Sequence, residues 1–185
     1  DADIKFFCDD GSGGDAEYMS IDGGDTDINF HKNTHHLDNV FIKVGSATGG
    51  DLQIYHNGSH SLISNQNGDL FIRNQTNDGD IKFQSDDGSG GDAEYFRLDG
   101  GEEETIFSQP IKINDNVRLN FGDQKDLVLR HNGTNAFITN GTGDLKITND
   151  ANDKDIIFSC DDGSGGSETY FFLDGSSGGG APFTQ

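Results

Sequence analysis

The chain is expected to be all-β, with little or no helix, and three observations carry that expectation. Asp followed by an apolar–any–apolar triplet recurs eight times, beginning with Asp3-Ile4-Lys5-Phe6 and ending with Asp155-Ile156-Ile157-Phe158. Apolar residues two apart face one side of a strand, whereas a helix needs spacings of three and four. Turn dipeptides punctuate these segments: Asn57-Gly58, Asn132-Gly133, and Asp-Gly at positions 10, 22, 87, 99, 162 and 174. Finally, a long internal repeat carries the same triplets and turns at matching places.

The triplets place strands, in order, at 3–6, 27–30, 51–54, 69–72, 80–83, 126–129, 144–147 and 155–158. Asn57-Gly58 and Asn132-Gly133 lie between apolar runs and suit type I′ hairpins, in which both central residues have positive φ. The repeat aligns DIKFFCDDGSGGDAEYMSIDGG (3–24) with DIKFQSDDGSGGDAEYFRLDGG (80–101) and DIIFSCDDGSGGSETYFFLDGS (155–176). A second block, 51–80, matches 126–155, and Val40 and Gly45 match Val117 and Gly122. The chain therefore reads as the end of one repeat (1–24), two full repeats (25–101 and 102–176) and the Gly-rich start of another segment (177–185). It begins at Asp1, consistent with a piece of a longer array.

Composition limits what such repeats can build. Leu, Ile, Val and Phe make up 43 of the 185 residues, or about 23%, just above the roughly 20% below which charged chains fail to fold. Any core is thin, and each repeat must cover its apolar face with neighbours along the chain or with other chains. The net charge of −21 argues against nucleic acid, because phosphate is repelled and no Lys/Arg cluster offsets it. No apolar run reaches the ~18–20 residues of a membrane-spanning helix, and no signal-peptide pattern opens the chain. Three copies would carry three times −21, so an oligomer calls for screening by salt or by cations such as Ca²⁺.

The acidic glycine loops are the first candidate sites. Asp9, Asp10 and Asp15 in one copy, and Asp86, Asp87 and Asp92 in the next, supply oxygen ligands of the kind a hard cation takes. Against this, the third copy replaces the last Asp with Ser167, and Asp-Gly is ordinary turn chemistry. His31, His35 and His36 form a cluster without a counterpart in 102–125 and are the candidate transition-metal ligands. His56 and His131 sit just before equivalent Asn-Gly pairs and share a structural role. No cofactor is required by the sequence; Ca²⁺ is the one candidate.

Cys8 and Cys160 occupy the position of Ser85, which points to small unpaired side chains. No catalytic constellation stands out. The Asp pairs recur in every copy, whereas catalytic groups are singular, so the chain is expected not to be an enzyme. Tyr18, Tyr95-Phe96 and Tyr170-Phe171-Phe172 are expected to pack in a core between chains.

The segments DLQIYHNGSHSLI, GDLFIRN, DIKFQSDDGSGGDAEYFRLDGG and VRLNFGDQKDL resemble a repeat of tail-fibre and other structural proteins of marine bacteriophages, over nearly the whole chain. The third copy departs at Arg130 (for Tyr55) and Thr148 (for Arg73), so those side chains are not essential to the scaffold. The resemblance implies an elongated repetitive β-structure, a β-solenoid or an intertwined triple β-helix or β-prism fibre shaft. It also implies a homotrimer located in the virion, where it contacts other virion proteins and projects a tip that binds a host glycan or protein through regions outside this chain. The alternatives are a cell-surface adhesin or self-assembling extracellular filament and, at lower weight, a glycan-cleaving tailspike.

Overall fold

The computed structural model describes residues 2–176, which hold fourteen strands and no helix. Strands β1 (Ile4–Asp9), β2 (Asp15–Asp22) and β3 (Asp27–Phe30) form one sheet, and β4 (Ile42–Val44), β5 (Leu52–His56) and β6 (Ser61–Asn65) a second. Strands β7 (Ile81–Asp86), β8 (Asp92–Asp99) and β9 (Glu104–Phe107) form a third, and β10 (Arg118–Phe121), β11 (Leu127–His131) and β12 (Ala136–Asn140) a fourth. Strands β13 (Ile156–Asp161) and β14 (Ser167–Leu173) pair alone. Within each sheet, chain neighbours are sheet neighbours, as short Gly-rich connections require.

The sequence repeat is also a repeat of backbone geometry. The β1–β2 register slips between Phe6 and Phe7, and β13–β14 slips at the equivalent Phe158/Ser159. This is a β-bulge kept at one place in the unit. Non-Gly residues with positive φ also come in equivalent pairs: Thr26 with Glu103, Asn39 with Asn116, and Asp78 with Asp153. Lys125 (φ 61°) stands where the preceding repeat has Gly50 (φ 81°).

Contacts divide the chain into two units, Asp1–Ile81 with Asp99–Glu104, and Lys82–Leu98 with Thr105–Gln185. The division runs through β7, β8 and β9 and does not follow the repeat boundary at 101/102. The segment 177–185 lies outside the described residues.

Two strand expectations are corrected. Residues 69–72 and 144–147 carry the triplet but are not strands. Alternation supplies a face to bury, yet a strand also needs a neighbour to bond, and neither segment joins one of the sheets of the described residues. Their apolar side chains remain exposed, Phe71 at 83% and Leu70, Ile72, Leu145 and Ile147 at about half or more.

The hairpin type is corrected as well. Asn57 N–H bonds to His60 O (3.0 Å), and only Gly58 (φ 91°) has positive φ, not Asn57. This is the φ signature of type II′, with Gly at the first central position. Asn57 serves instead through its side chain, whose Oδ1 accepts from the N–H of Ser59 (3.0 Å) and His60 (2.8 Å). Asn132 does the same for Thr134 and Asn135.

No apolar side chain is buried among the described residues, and Ser20, at 5% exposure, is the one buried polar residue. What holds each sheet together is therefore its backbone ladder, its side-chain-to-turn hydrogen bonds and half-exposed cross-strand pairs.

Candidate functional site

The acidic loops between β1 and β2, β7 and β8, and β13 and β14 are built alike. Asp9, Asp86 and Asp161 each accept, at Oδ1, the N–H of the Gly two residues on, at 2.6, 2.6 and 2.7 Å. Asp10, Asp87 and Asp162 each accept two N–H groups at one oxygen, from Ser at 2.7 Å and from Gly at 3.1 Å. The backbone closes each loop, from Asp10 N to Gly14 O at 2.8 Å and equivalently in the other copies. A Tyr hydroxyl braces it from the next strand: Tyr18 to Asp9 O (3.2 Å), Tyr95 to Asp86 O and Tyr170 to Asp161 O (3.3 Å each).

These bonds favour the ionised carboxylate. The pKa values of Asp10, Asp87 and Asp162 are held below the ordinary carboxylate value, first by the Ser N–H and then by the Gly N–H. The second Asp of each pair thus acts as a staple for its own loop. Asp15 opens β2 directly opposite Asp9, and Asp92 opens β8. Among the described residues, no three His, Cys, Asp or Glu side chains converge where they could hold a metal ion. The structure thus does not gather Asp9, Asp10 and Asp15, nor Asp86, Asp87 and Asp92, into a coordination shell.

The histidine cluster is also separated. His31 turns to β2, with Nε2 2.9 Å from Ser20 Oγ and 3.1 Å from Glu17 Oε1. His35 and His36 are exposed, and His36 lines a shallow cavity of ≈430 Å³ with Val40, Ile42 and Tyr55. His56 and His131 share one arrangement. Their Nδ1 atoms lie 2.9 and 2.7 Å from the carboxylates of Asp38 and Asp115, and their carbonyls accept from Asn39 and Asn116 at 2.8 Å. Each histidine therefore ties the preceding loop to the start of its hairpin.

Several of the aromatics stack within their own sheet. Phe96 lies 4.3 Å from Phe83, nearly parallel to it, and 5.8 Å from Phe107. Phe158 and Phe171, cross-strand partners, lie 4.4 Å apart. Cys8 and Cys160 are free and exposed.

Two groupings were not singled out in the sequence. Glu94 on β8 receives Arg97 at 2.8 Å, Ser108 at 3.2 Å and Lys82 at 3.9 Å; its pKa is lowered, first by the Arg97 hydrogen bond. On the next sheet, Arg118 and Arg130 stand directly opposite one another. The signal for the second was available in the alignment, where these arginines replace Phe41 and Tyr55. Comparison of the chain with protein-family models, with curated proteins and with solved structures gives no match.

Proposed function

We propose that this chain is a structural segment, the repeating shaft of a bacteriophage tail fibre or related virion appendage, assembled from several copies, with three as the expected number. Its role is mechanical: short sheets from each copy cover one another, and acidic loops keep the exterior soluble and discourage sideways sheet pairing. The receptor-binding tip belongs to regions outside this chain.

One observation supports the multi-chain reading above the rest. The accessible surface is 15447 Å² for a 19.9 kDa chain, whereas two separate compact units of half that mass expose about 10,400 Å² together. Relative to an unfolded chain of about 28,900 Å², folding removes only about 46% of the surface. Two such units would ordinarily bury about 64%. Residue 1 and residues 177–185 account for at most about 1,500 Å² of the difference on the same scale. The remainder, roughly 3,500 Å², falls in the range of obligate oligomer interfaces. The reuse of one set of loops, bulges and turn bonds in each repeat fits a scaffold better than a singular catalytic centre.

Light scattering on the purified chain tests the reading. A concentration-independent mass near three chains of 19.9 kDa, about 60 kDa, is expected. A monomer at micromolar concentration would refute it, and a mass that climbs steadily with concentration would indicate an open filament instead.

A further inference from the structure

Arg118 on β10 and Arg130 on β11 are register partners, and Phe137 on β12 is the partner of Arg130 on its other side. The Arg130 guanidinium lies over the Phe137 ring at 4.7 Å. With Val128 and Thr139, these side chains line a shallow cup of ≈230 Å³. Like charges directly opposite in a sheet are destabilising. A chain with 33 Asp and Glu against 12 Lys and Arg has carboxylates to spare. Yet among the described residues neither arginine pairs with one, whereas Lys5, Lys82 and Arg97 do.

The fold does not demand this pair. In the preceding repeat the equivalent positions hold Phe41 and Tyr55, whose rings lie 4.3 Å apart and tilted by 39°. Two arginines opposed in register and lining one cup with Val128 and Phe137, with no internal counter-ion, form an acceptor for a carboxylate, which arginine takes bidentately.

We propose that Arg118 and Arg130 form a carboxylate-accepting site filled by an Asp or Glu side chain of a second copy of this chain. The proposal rests on the multi-chain reading above. Charge complementarity favours that occupant, since a copy at −21 presents abundant carboxylates and repels its neighbours wherever no cation intervenes. The unburied surface provides the area over which such a contact would be desolvated, and desolvation is what makes a charge pair contribute to association.

The test is sedimentation of the wild-type chain and the double variant Arg118→Gln/Arg130→Gln, at about 0.05 M and about 0.5 M NaCl, where screening differs several-fold. The double variant is expected to dissociate at least roughly tenfold more readily at low salt. The gap between wild type and double variant should narrow at about 0.5 M NaCl, where the arginine–carboxylate contact is screened, with an unchanged β-sheet circular dichroism spectrum. Arg118→Lys/Arg130→Lys, which keeps charge without the fork, should fall between the two. Wild type and double variant assembling equally at both salts would overturn the site alone. A monomeric wild type would defeat the multi-chain reading and the occupant with it. Titration with a soluble polyuronate separates the other source of carboxylate. If the double variant loses polyuronate binding while assembling as wild type does, the second-copy occupant is wrong and the pair serves an acidic glycan.

Discussion

Gly100 offers a sharp test of the repeat geometry. It follows β8, and its N–H donates to Asp80 Oδ1 at 3.2 Å, across twenty residues of chain. A Cβ at this position would lie 2.6 Å from the carbonyl oxygen of Gly79, with Gly79 C at 3.2 Å and N at 3.3 Å. That is roughly 0.9 Å inside the ~3.5 Å at which non-bonded heavy atoms pack comfortably. The obstacle is backbone, so no rotamer change relieves it. Overpacking of this kind destabilises by about 1–3 kcal/mol, and the rigid obstacle places Gly100→Ala in the upper half of that range. For a chain of this length, about 2–4 °C is lost per kcal/mol. The apparent melting midpoint, followed by circular dichroism at fixed chain concentration, should therefore fall by roughly 4–12 °C. Gly90→Ala is the control: its φ is 90°, but no atom lies within 4 Å of the added Cβ. It should lose less, about 1 kcal/mol, from backbone conformation alone. Gly23 and Gly175 face the same kind of obstacle, the carbonyls of Ala2 and Lys154, and their Ala variants should behave like Gly100→Ala. A Gly100→Ala midpoint within a degree of wild type, or a larger loss in Gly90→Ala, would refute the reasoning.

Three further outcomes are expected. The folded-state pKa of Asp87 is depressed by the N–H groups of Ser89 and Gly91, so its contribution is present above the ordinary carboxylate value and lost as pH falls through the lowered one. Asp87→Asn keeps an acceptor at Oδ1 without the titration, so the wild-type-minus-variant difference in stability should shrink below about pH 4; a pH-independent difference would count against the staple. Lys125→Gly, at φ 61° where the other repeat has Gly50, should stabilise by up to about 1 kcal/mol by relieving left-handed strain, as read from the melting midpoint; a destabilised variant would mean that the Lys125 side chain matters more than its backbone. Asn57→Ala removes the acceptor of the Ser59 and His60 N–H groups and should lower stability by about 1 kcal/mol, with faster amide exchange at those two positions. Unchanged exchange there would show that the turn is held by its backbone alone.

The all-β character was legible because alternation and Gly-based turns are local properties, written within five or six residues. What could not be read was whether each alternating segment finds a neighbour. Asp69-Leu70-Phe71-Ile72 has the same pattern as Asp80-Ile81-Lys82-Phe83, yet only the second pairs, because pairing depends on where the connections deliver the chain. The type of the Asn-Gly turn was misjudged for a related reason. Asn suits positive φ, but it also carries an acceptor that can replace a backbone carbonyl, and at Asn57 and Asn132 the second use wins. The role of the second loop Asp was half visible. Turn chemistry was evident in Asp-Asp-Gly-Ser-Gly-Gly, whereas the two N–H groups converging on one oxygen of Asp10 depend on successive φ values no motif spells out. His31 left its sequence neighbours because Glu17 and Ser20 lie across the sheet, a long-range juxtaposition. The repeat alignment shows Arg118 and Arg130 in the places of Phe41 and Tyr55, but that the two oppose one another needs the register, since they are twelve residues apart in sequence.

On the multi-chain reading proposed above, the contrast between the two Asn-Gly hairpin sheets bears on how copies would keep in register. An array of near-identical repeats with thin apolar faces is prone to slipping by one whole unit, because every unit offers nearly the same surface. Phe41 and Tyr55 beside one hairpin, and Arg118 and Arg130 at the equivalent positions of the other, make two otherwise equivalent faces chemically different. A copy shifted by one repeat would set an apolar contact against guanidinium groups, or carboxylates against aromatic rings, and either mismatch leaves a desolvated charge unpaired. Exchanging the pairs, with Phe41→Arg and Tyr55→Arg in one sheet and Arg118→Phe and Arg130→Tyr in the other, conserves composition and should preserve the fold. Mixed with wild type, such a chain should co-assemble poorly although each assembles with itself, as measured by subunit exchange between differently labelled chains. Free exchange between the two would show that register is set elsewhere, by loop length or by the two-residue difference between the 45–51 and 122–126 connections.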